Sequence, residues 1–396
     1  MVPAYREKYN QQFTDEKYKQ FLADLDKEAG YHIEFRIAET PIFVPRSFED
    51  KLIAGGKEIL NTVTSTDYHK ISDGAIPPQL KVPNEDARPQ TIAIDFAICK
   101  NEEGELIPQL IEAQAFPSLF GYQHWLAIKF RQHFWVPENM SHLFSGFNDA
   151  TYIERLRQWI LAGEKPENVV LLEIEPEKQK TRVDFELTKK ILGIEYICIS
   201  KVIREGRQLY YEKDGRKLPI KRIYNRVIFD EFVKRKDLQC QFNLVEDVDI
   251  SWTVHPNWFF RISKYAMPFI NSRYVPKTQF LHQVTTIPDD LENYVLKPLF
   301  SFSGHGVIFD VKKEDITSIT DPQNYILQRK VQYAPVVQSP TGPVKAEIRL
   351  LYIWLPGEAA PVLTINLVRL SKGKMIGVDY NKDLDWVGGS VGFYAL

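Results

Sequence analysis

The segment from residue 91 to 114, TIAIDFAICKNEEGELIPQLIEAQ, sets the tightest limit on what this chain can fold into. Two apolar runs flank a turn between Lys100 and Gly104, the pattern of an antiparallel hairpin. Asp95 interrupts the first run in its middle. A carboxylate buried there without a partner would be costly, so a cation or a hydrogen-bond network is expected to face it. On the second run Glu112 and Gln114 stand two residues apart and point the same way, just before the chain turns through Phe116, Pro117 and Ser118. Two oxygen-bearing side chains on one strand face suit a hard cation such as Mg²⁺. They equally suit an edge strand with a solvated polar face.

Composition narrows the class. At 396 residues the chain exceeds one ordinary core, so two or three subdomains are expected. Hydrophobic content of 44% and charged content of 26% are those of a soluble globular protein. Lysine plus arginine (50) nearly balances aspartate plus glutamate (52), which argues against nucleic acid or an anionic membrane as the main partner. No apolar run approaches the roughly 20 residues that span a bilayer. The opening MVPAYREKYNQQF is polar, without an apolar leader segment, and Cys99, Cys198 and Cys240 lie far apart with no metal-type pairing. A cytoplasmic protein with free thiols is the expectation. The sequence does not disclose an oligomeric state.

Along the chain, residues 1–85 mix helical patterns (FTDEKYKQFLADLDKEA, FEDKLIAGGKEILNTV) with the extended HIEFRIAETPIFVP, and KVPNEDARPQ reads as a loop. After the hairpin, an aromatic-rich helical region runs from GYQHWLAIKFRQHFW to about Leu161. Its His124 and His133, beside Trp125 and Phe134, read as packing residues. NVVLLEI, KTRVDFELTKKILG and IEYICIS then form a β-α-β unit, so residues 166 to about 250 are expected to be a small α/β domain with a parallel sheet. QLYYEKDGRKLPI and IKRIYNRVIFDEF are expected to complete it. From HPNWFFRISKYAMPFI onward, YVLKPLF, GVIFDV, YILQRKV, AEIRLLYIWL and PVLTINLVRL supply further strands.

YVLKPLFSFSGHGVIF carries the clearest phosphate-type signal. Lys297 ends an apolar strand, and Gly304, His305 and Gly306 lie in the loop that follows. Such a loop can bring backbone N–H groups to a triphosphate while the lysine supplies a point charge. It is not a P-loop, and a strand, a lysine and a glycine-rich turn also coincide by chance. Lys264 lies upstream on a helix-like stretch. Gln328 and Lys330 close a strand that could present backbone groups to a purine. Glu347 and Arg349 share one face of AEIRLLYIW, and Arg369 ends another strand.

This ensemble resembles the ATP-grasp superfamily. There one lysine comes from the helical part of a small lobe and one from the strand before a glycine-rich loop, as Lys264 and Lys297 do here. YILQRKV resembles the hinge that holds adenine, Glu347-Ile348-Arg349 an acidic-x-Arg strand, and Arg369 with Gly388-Gly389 the distal arginine followed by two glycines. The metal-binding hairpin that usually follows them is matched by Asp95, Glu112 and Gln114 near the start. The resemblance is thus to circularly permuted members, the glutathionylspermidine synthetase-like proteins and their relatives. It covers about residues 88–396, and Gln114 replaces the usual asparagine.

The resemblance implies an α+β and α/β fold in permuted ATP-grasp order. Residues 1–85 would form an N-terminal region, 86–162 the permuted metal-binding part of the large lobe, and 163–252 an α/β pre-ATP-grasp-like domain. Residues 253–325 would be the small lobe and 326–396 the remaining strands of the large lobe. It implies ATP and Mg²⁺, with Asp95, Glu112 and Gln114 on the metal and Lys264, Lys297, Gly304, His305, Gly306, Gln328 and Lys330 on the nucleotide. Arg349 and Arg369 would be catalytic. Small-molecule or peptide carboxylates and amines would be the substrates, joined through an acyl-phosphate. Two alternatives stay open: an ATP-grasp scaffold that binds nucleotide or peptide without turnover, and a non-nucleotide α/β binding protein whose Lys264, Lys297 and Glu112 lie far apart.

Overall fold

The structure is a computed structural model and describes residues 1–301, 304–373, 381 and 383–396. Its spine is an antiparallel sheet in the order Gly388–Ser390, Val362–Ser371, Gly342–Ile353, Thr91–Lys100, Leu106–Gln114. The hairpin read from the sequence is therefore present, and it is sealed to strands some 250 positions later in the chain, Asp95 lying opposite Arg349 (a separation of 254). Alternation divides the sheet by face. Ile94, Phe96, Ile98, Ile348, Leu350, Val368 and Leu370 pack into the main core. On the other face Ala93, Leu351, Ile353 and Ile365 pack toward the α/β unit, and further along the same strands Asp95, Arg349, Glu347 and Arg369 replace them.

Residues 1–85 are not an appendage. Tyr9, Phe21, Leu25, Phe48, Leu52 and Ile59 from the helices Pro3–Gln12, Asp15–Ala29 and Arg46–Val63 share the main core. The strand Ile42–Val44 pairs parallel with Gly392–Ala395, joining the two ends of the chain. Arg261, almost wholly buried, ties the KVPNEDARPQ loop down through Glu85 and also bonds Asp73 at 2.7 Å.

The α/β unit has the expected parallel sheet, ordered Ser251–Thr253, Arg222–Asn225, Val169–Glu173, Glu195–Cys198, with helix Arg182–Leu192 as the first crossover. Val169–Glu173 is buried throughout, as a strand covered on both faces must be. Gln208–Lys213 and Arg216–Ile220 form a hairpin through the tight Asp214-Gly215 turn; with Ile203–Glu205 they make a separate antiparallel sheet whose Leu209, Tyr211 and Ile220 share the core of the α/β unit.

A third, three-stranded sheet runs Thr278–Phe280, Tyr325–Arg329, Tyr294–Pro298. Tyr325–Arg329 is its central strand, so this sheet runs across residue 325. GVIFDV meets this sheet only at an isolated bridge between Leu296 and Ile308. Among the described residues no helix is long and apolar enough to cross a membrane.

Helix Arg46–Val63 lies against the sheet through two adjacent glycines. A Cβ on Gly56 would run into the buried Tyr352 hydroxyl. Overpacking costs about 1–3 kcal/mol, against the roughly 1 kcal/mol that alanine gains over glycine in a helix. Gly56→Ala is therefore expected to lower the urea midpoint of unfolding, and an unchanged or raised midpoint would refute this packing.

Candidate functional site

The hairpin is irregular where it matters. Asp95 pairs with Glu112 but the next residue, Phe96, pairs with Leu110, so Ile111 is an extra, bulged residue. Lys297 Nζ, from the strand Tyr294–Pro298 of the three-stranded sheet, donates to the Ile111 carbonyl at 3.1 Å. The bulge thus gives the buried lysine an acceptor and docks that strand against the hairpin. Burial lowers the Lys297 ammonium to about 8, with Glu112 opposing the shift and Lys264 adding to it.

Asp95, Arg349 and Glu112 lie opposite one another across three strands, and Glu347 lies opposite Arg369. Arg349 grips Asp95 with two hydrogen bonds of 2.6 and 2.7 Å, and Arg369 adds a third at 2.5 Å. Arg369 also reaches Glu347 at 2.7 Å, whose other oxygen accepts from the Tyr333 hydroxyl at 2.7 Å. Burial pushes the Asp95 carboxyl up, yet the two guanidinium groups outweigh it and hold it below the usual carboxylate range. Glu347, buried beside Asp95, goes up despite Arg369.

Glu112 is freer. Its nearest cations, Lys264 at 3.6 Å and Arg349 at 3.9 Å, stand beyond hydrogen-bonding distance, and Gln114 Nε2 donates to it at a long 3.3 Å. Lys264 opens the short 3₁₀ helix Lys264–Phe269, positioned by the Ser263 cap, and donates to the Ser301 carbonyl at 2.8 Å.

These groups border a cavity of about 590 Å³, together with His305 of the glycine loop. Gly306 has φ +72°, and a Cβ there would touch Pro298 at 2.9 Å, so the loop requires glycine. Its neighbours Phe302 and Ser303 lie outside the described residues. The predicted site residues Glu112, Gln114, Lys264, His305, Arg349 and Arg369 all line the cavity. Asp95 and Lys297 support it from behind. Gln328 is buried in the three-stranded sheet against Met267, and Lys330 bonds the Glu292 carbonyl at 2.6 Å; neither lines the cavity.

The opposite wall comes from the carboxyl ends of the parallel strands, where open α/β sheets hold ligands. Glu173, Gln179 and Arg226 face the cavity there. Burial pushes Glu173 up to about 8, so its carboxyl is protonated at neutral pH. Arg226 donates to the Pro117 carbonyl at 2.8 Å, while Asp184 accepts from the amides of Leu119 and Tyr122, both at 2.9 Å. The α/β unit thus fixes the turn that follows Glu112 and Gln114. The Nε atoms of Arg226 and Arg369 are buried without a hydrogen-bond partner among the described residues. The signal in the sequence for Glu173 is an acidic residue ending an otherwise apolar parallel strand.

No family model matches the chain, and no curated protein shows significant similarity to it. In structure, 96% of the chain matches 96% of a glutathione synthetase-like effector from Globodera pallida in its apo form, with a TM-score of 0.60 and 11% identity. The chain therefore shares the mixed α+β fold of that glutathione synthetase-like protein.

Removing one partner from a buried ion pair strands the other charges, at about 3–5 kcal/mol. Asp95→Asn should destabilise the chain by that order in chemical denaturation; a loss under about 1 kcal/mol would contradict the clamp.

Proposed function

We propose that this chain is an ATP- and Mg²⁺-dependent ligase that joins a carboxylate to an amine through an acyl-phosphate, on an ATP-grasp fold in permuted order. The observation that carries this reading is the convergence of Glu112, Lys264, Arg349 and Arg369, from four separate segments, on one polar cavity backed by Lys297.

The donor set suits Mg²⁺ at Glu112 and Gln114, because the Glu112 oxygens have no short contact. Asp95 is assigned a positioning role, since both its oxygens are engaged by guanidinium groups. Bound there, Mg²⁺ supplies positive charge next to the nucleotide phosphates. Lys264 neutralises phosphate oxygens from the cavity wall, and the Lys297 charge acts from behind it. Arg349 and Arg369 lie where charge develops on the acyl-phosphate, already oriented by Asp95, so little reorganisation is needed during transfer. The carboxylate substrate lies toward Arg226 and the protonated Glu173, and its amine partner attacks from the same cavity. A second reading, binding without turnover, draws on Gln114, whose amide N–H faces Glu112 where a shared metal needs its oxygen.

Calorimetric titration with ATP tests the reading. Binding should require Mg²⁺ and weaken at least about tenfold (~1.4 kcal/mol) in both Lys297→Ala and Glu112→Ala. Absence of binding in every condition would defeat it, and binding without ADP release from any carboxylate and amine pair would favour the second reading. The pH dependence has a definite sign. The Lys297 ammonium is charged below about 8 and neutral above it, so ATP affinity should fall by up to about tenfold per pH unit above that point. Lys297→Arg should abolish the fall, and a fall that persists in it would show that another group titrates.

A further inference from the structure

Apart from the cavity, three segments bring nitrogen and oxygen donors together. His124 lies on helix Phe120–His133, His142 just past the strand Met140–Ser141, and Asp149 opens helix Asp149–Ile160. His124 Nδ1 and His142 Nε2 are 3.0 Å apart, and one donor atom from each of the three residues lies within 4.8 Å of the others. Both rings are buried, only 5% and 4% exposed.

The surrounding backbone is fixed. Asn366 donates to the His142 carbonyl at 3.0 Å, and a reciprocal Asn148–Thr151 cap sets the start of the Asp149 helix. Arg131, the neighbouring cation, bonds the carbonyls of Pro137 and Met140 and lies over the Phe393 ring, 4.8 Å from its centroid. Among the described residues the exposed Asp149 carboxylate makes no ion pair or hydrogen bond.

We propose that His124, His142 and Asp149 bind a first-row divalent cation of the zinc type. Zinc–nitrogen bonds of about 2.0–2.1 Å place tetrahedral ligand atoms roughly 3.3 Å apart, close to the separation the two rings already have. Two imidazoles and a carboxylate select a borderline transition metal over Mg²⁺ or Ca²⁺, which prefer all-oxygen sites. Asp149, on the surface, closes the third position by side-chain rotation, and water takes the fourth. The ion would clasp helix Phe120–His133 to the start of helix Asp149–Ile160.

Metal-depleted full-length protein would be titrated with Zn²⁺ by calorimetry and with Co²⁺ followed by its visible absorption. One equivalent should bind, raise the melting temperature and give a cobalt spectrum of tetrahedral intensity. Asp149→Asn should weaken Zn²⁺ at least about tenfold, and His142→Gln should remove the cobalt spectrum. Cys198→Ser with Cys240→Ser, and separately Glu112→Gln, should keep the full stoichiometry. No zinc binding by the parent protein, or binding unchanged in Asp149→Asn, would overturn the proposal, as would binding lost with the thiols. If His142→Gln does not fold, Asp149→Asn decides alone, because that exposed carboxylate contributes no core packing.

Discussion

A carboxylate in the middle of a buried, otherwise apolar strand organises this molecule. Asp95 lies between Ile94 and Phe96, both in the main core, and is itself 1% exposed. Its charge is tolerated because arginines on the next two strands, Arg349 and Arg369, meet it with three hydrogen bonds. The clamp also sets register. A slip of one residue would turn Asp95 into the main core and expose Ile94 to the cavity, so charge and hydrophobicity specify the same pairing. With that register fixed, Glu112 falls beside Arg349 and the Ile111 bulge falls under Lys297.

The cavity needs a second wall, and the parallel sheet provides it. Arg226 and Asp184 each bind backbone of the turn between Phe116 and Tyr122, so the end of the hairpin and the carboxyl ends of the parallel strands are held together. Acidic and basic groups thereby face one another across a space of about 590 Å³.

Much of this was legible in the sequence, for identifiable reasons. The hairpin announced itself by two apolar runs about a polar turn, and Asp95 stood out as a charge that needed partners. The β-α-β unit was equally clear, because a run such as NVVLLEI followed by an amphipathic helix has few other solutions. Pairing between distant strands is not legible from periodicity, so the sequence alone does not set Asp95 beside Arg349. The Asp214-Gly215 turn marks a hairpin, while strand-like sequence alone does not say which sheet it joins. Gln328 and Lys330 were placed by motif order, whereas their side chains answer to local partners, Met267 and the Glu292 carbonyl. Glu173 was overlooked because a single acidic residue at a strand end has no spacing to reveal it.

The central claim is that the hairpin and the small lobe build one nucleotide–metal site, with Asp95 as its anchor rather than a ligand. A crystal structure with ADP and Mn²⁺, the metal located by anomalous scattering, tests it most directly. The account predicts metal on the carboxylate of Glu112 and the side-chain oxygen of Gln114, phosphate oxygens against Lys264 with Lys297 behind it, and Asp95 still clamped by its two arginines. Metal bound by Asp95 with the arginines displaced, or nucleotide bound away from this cavity, would contradict it.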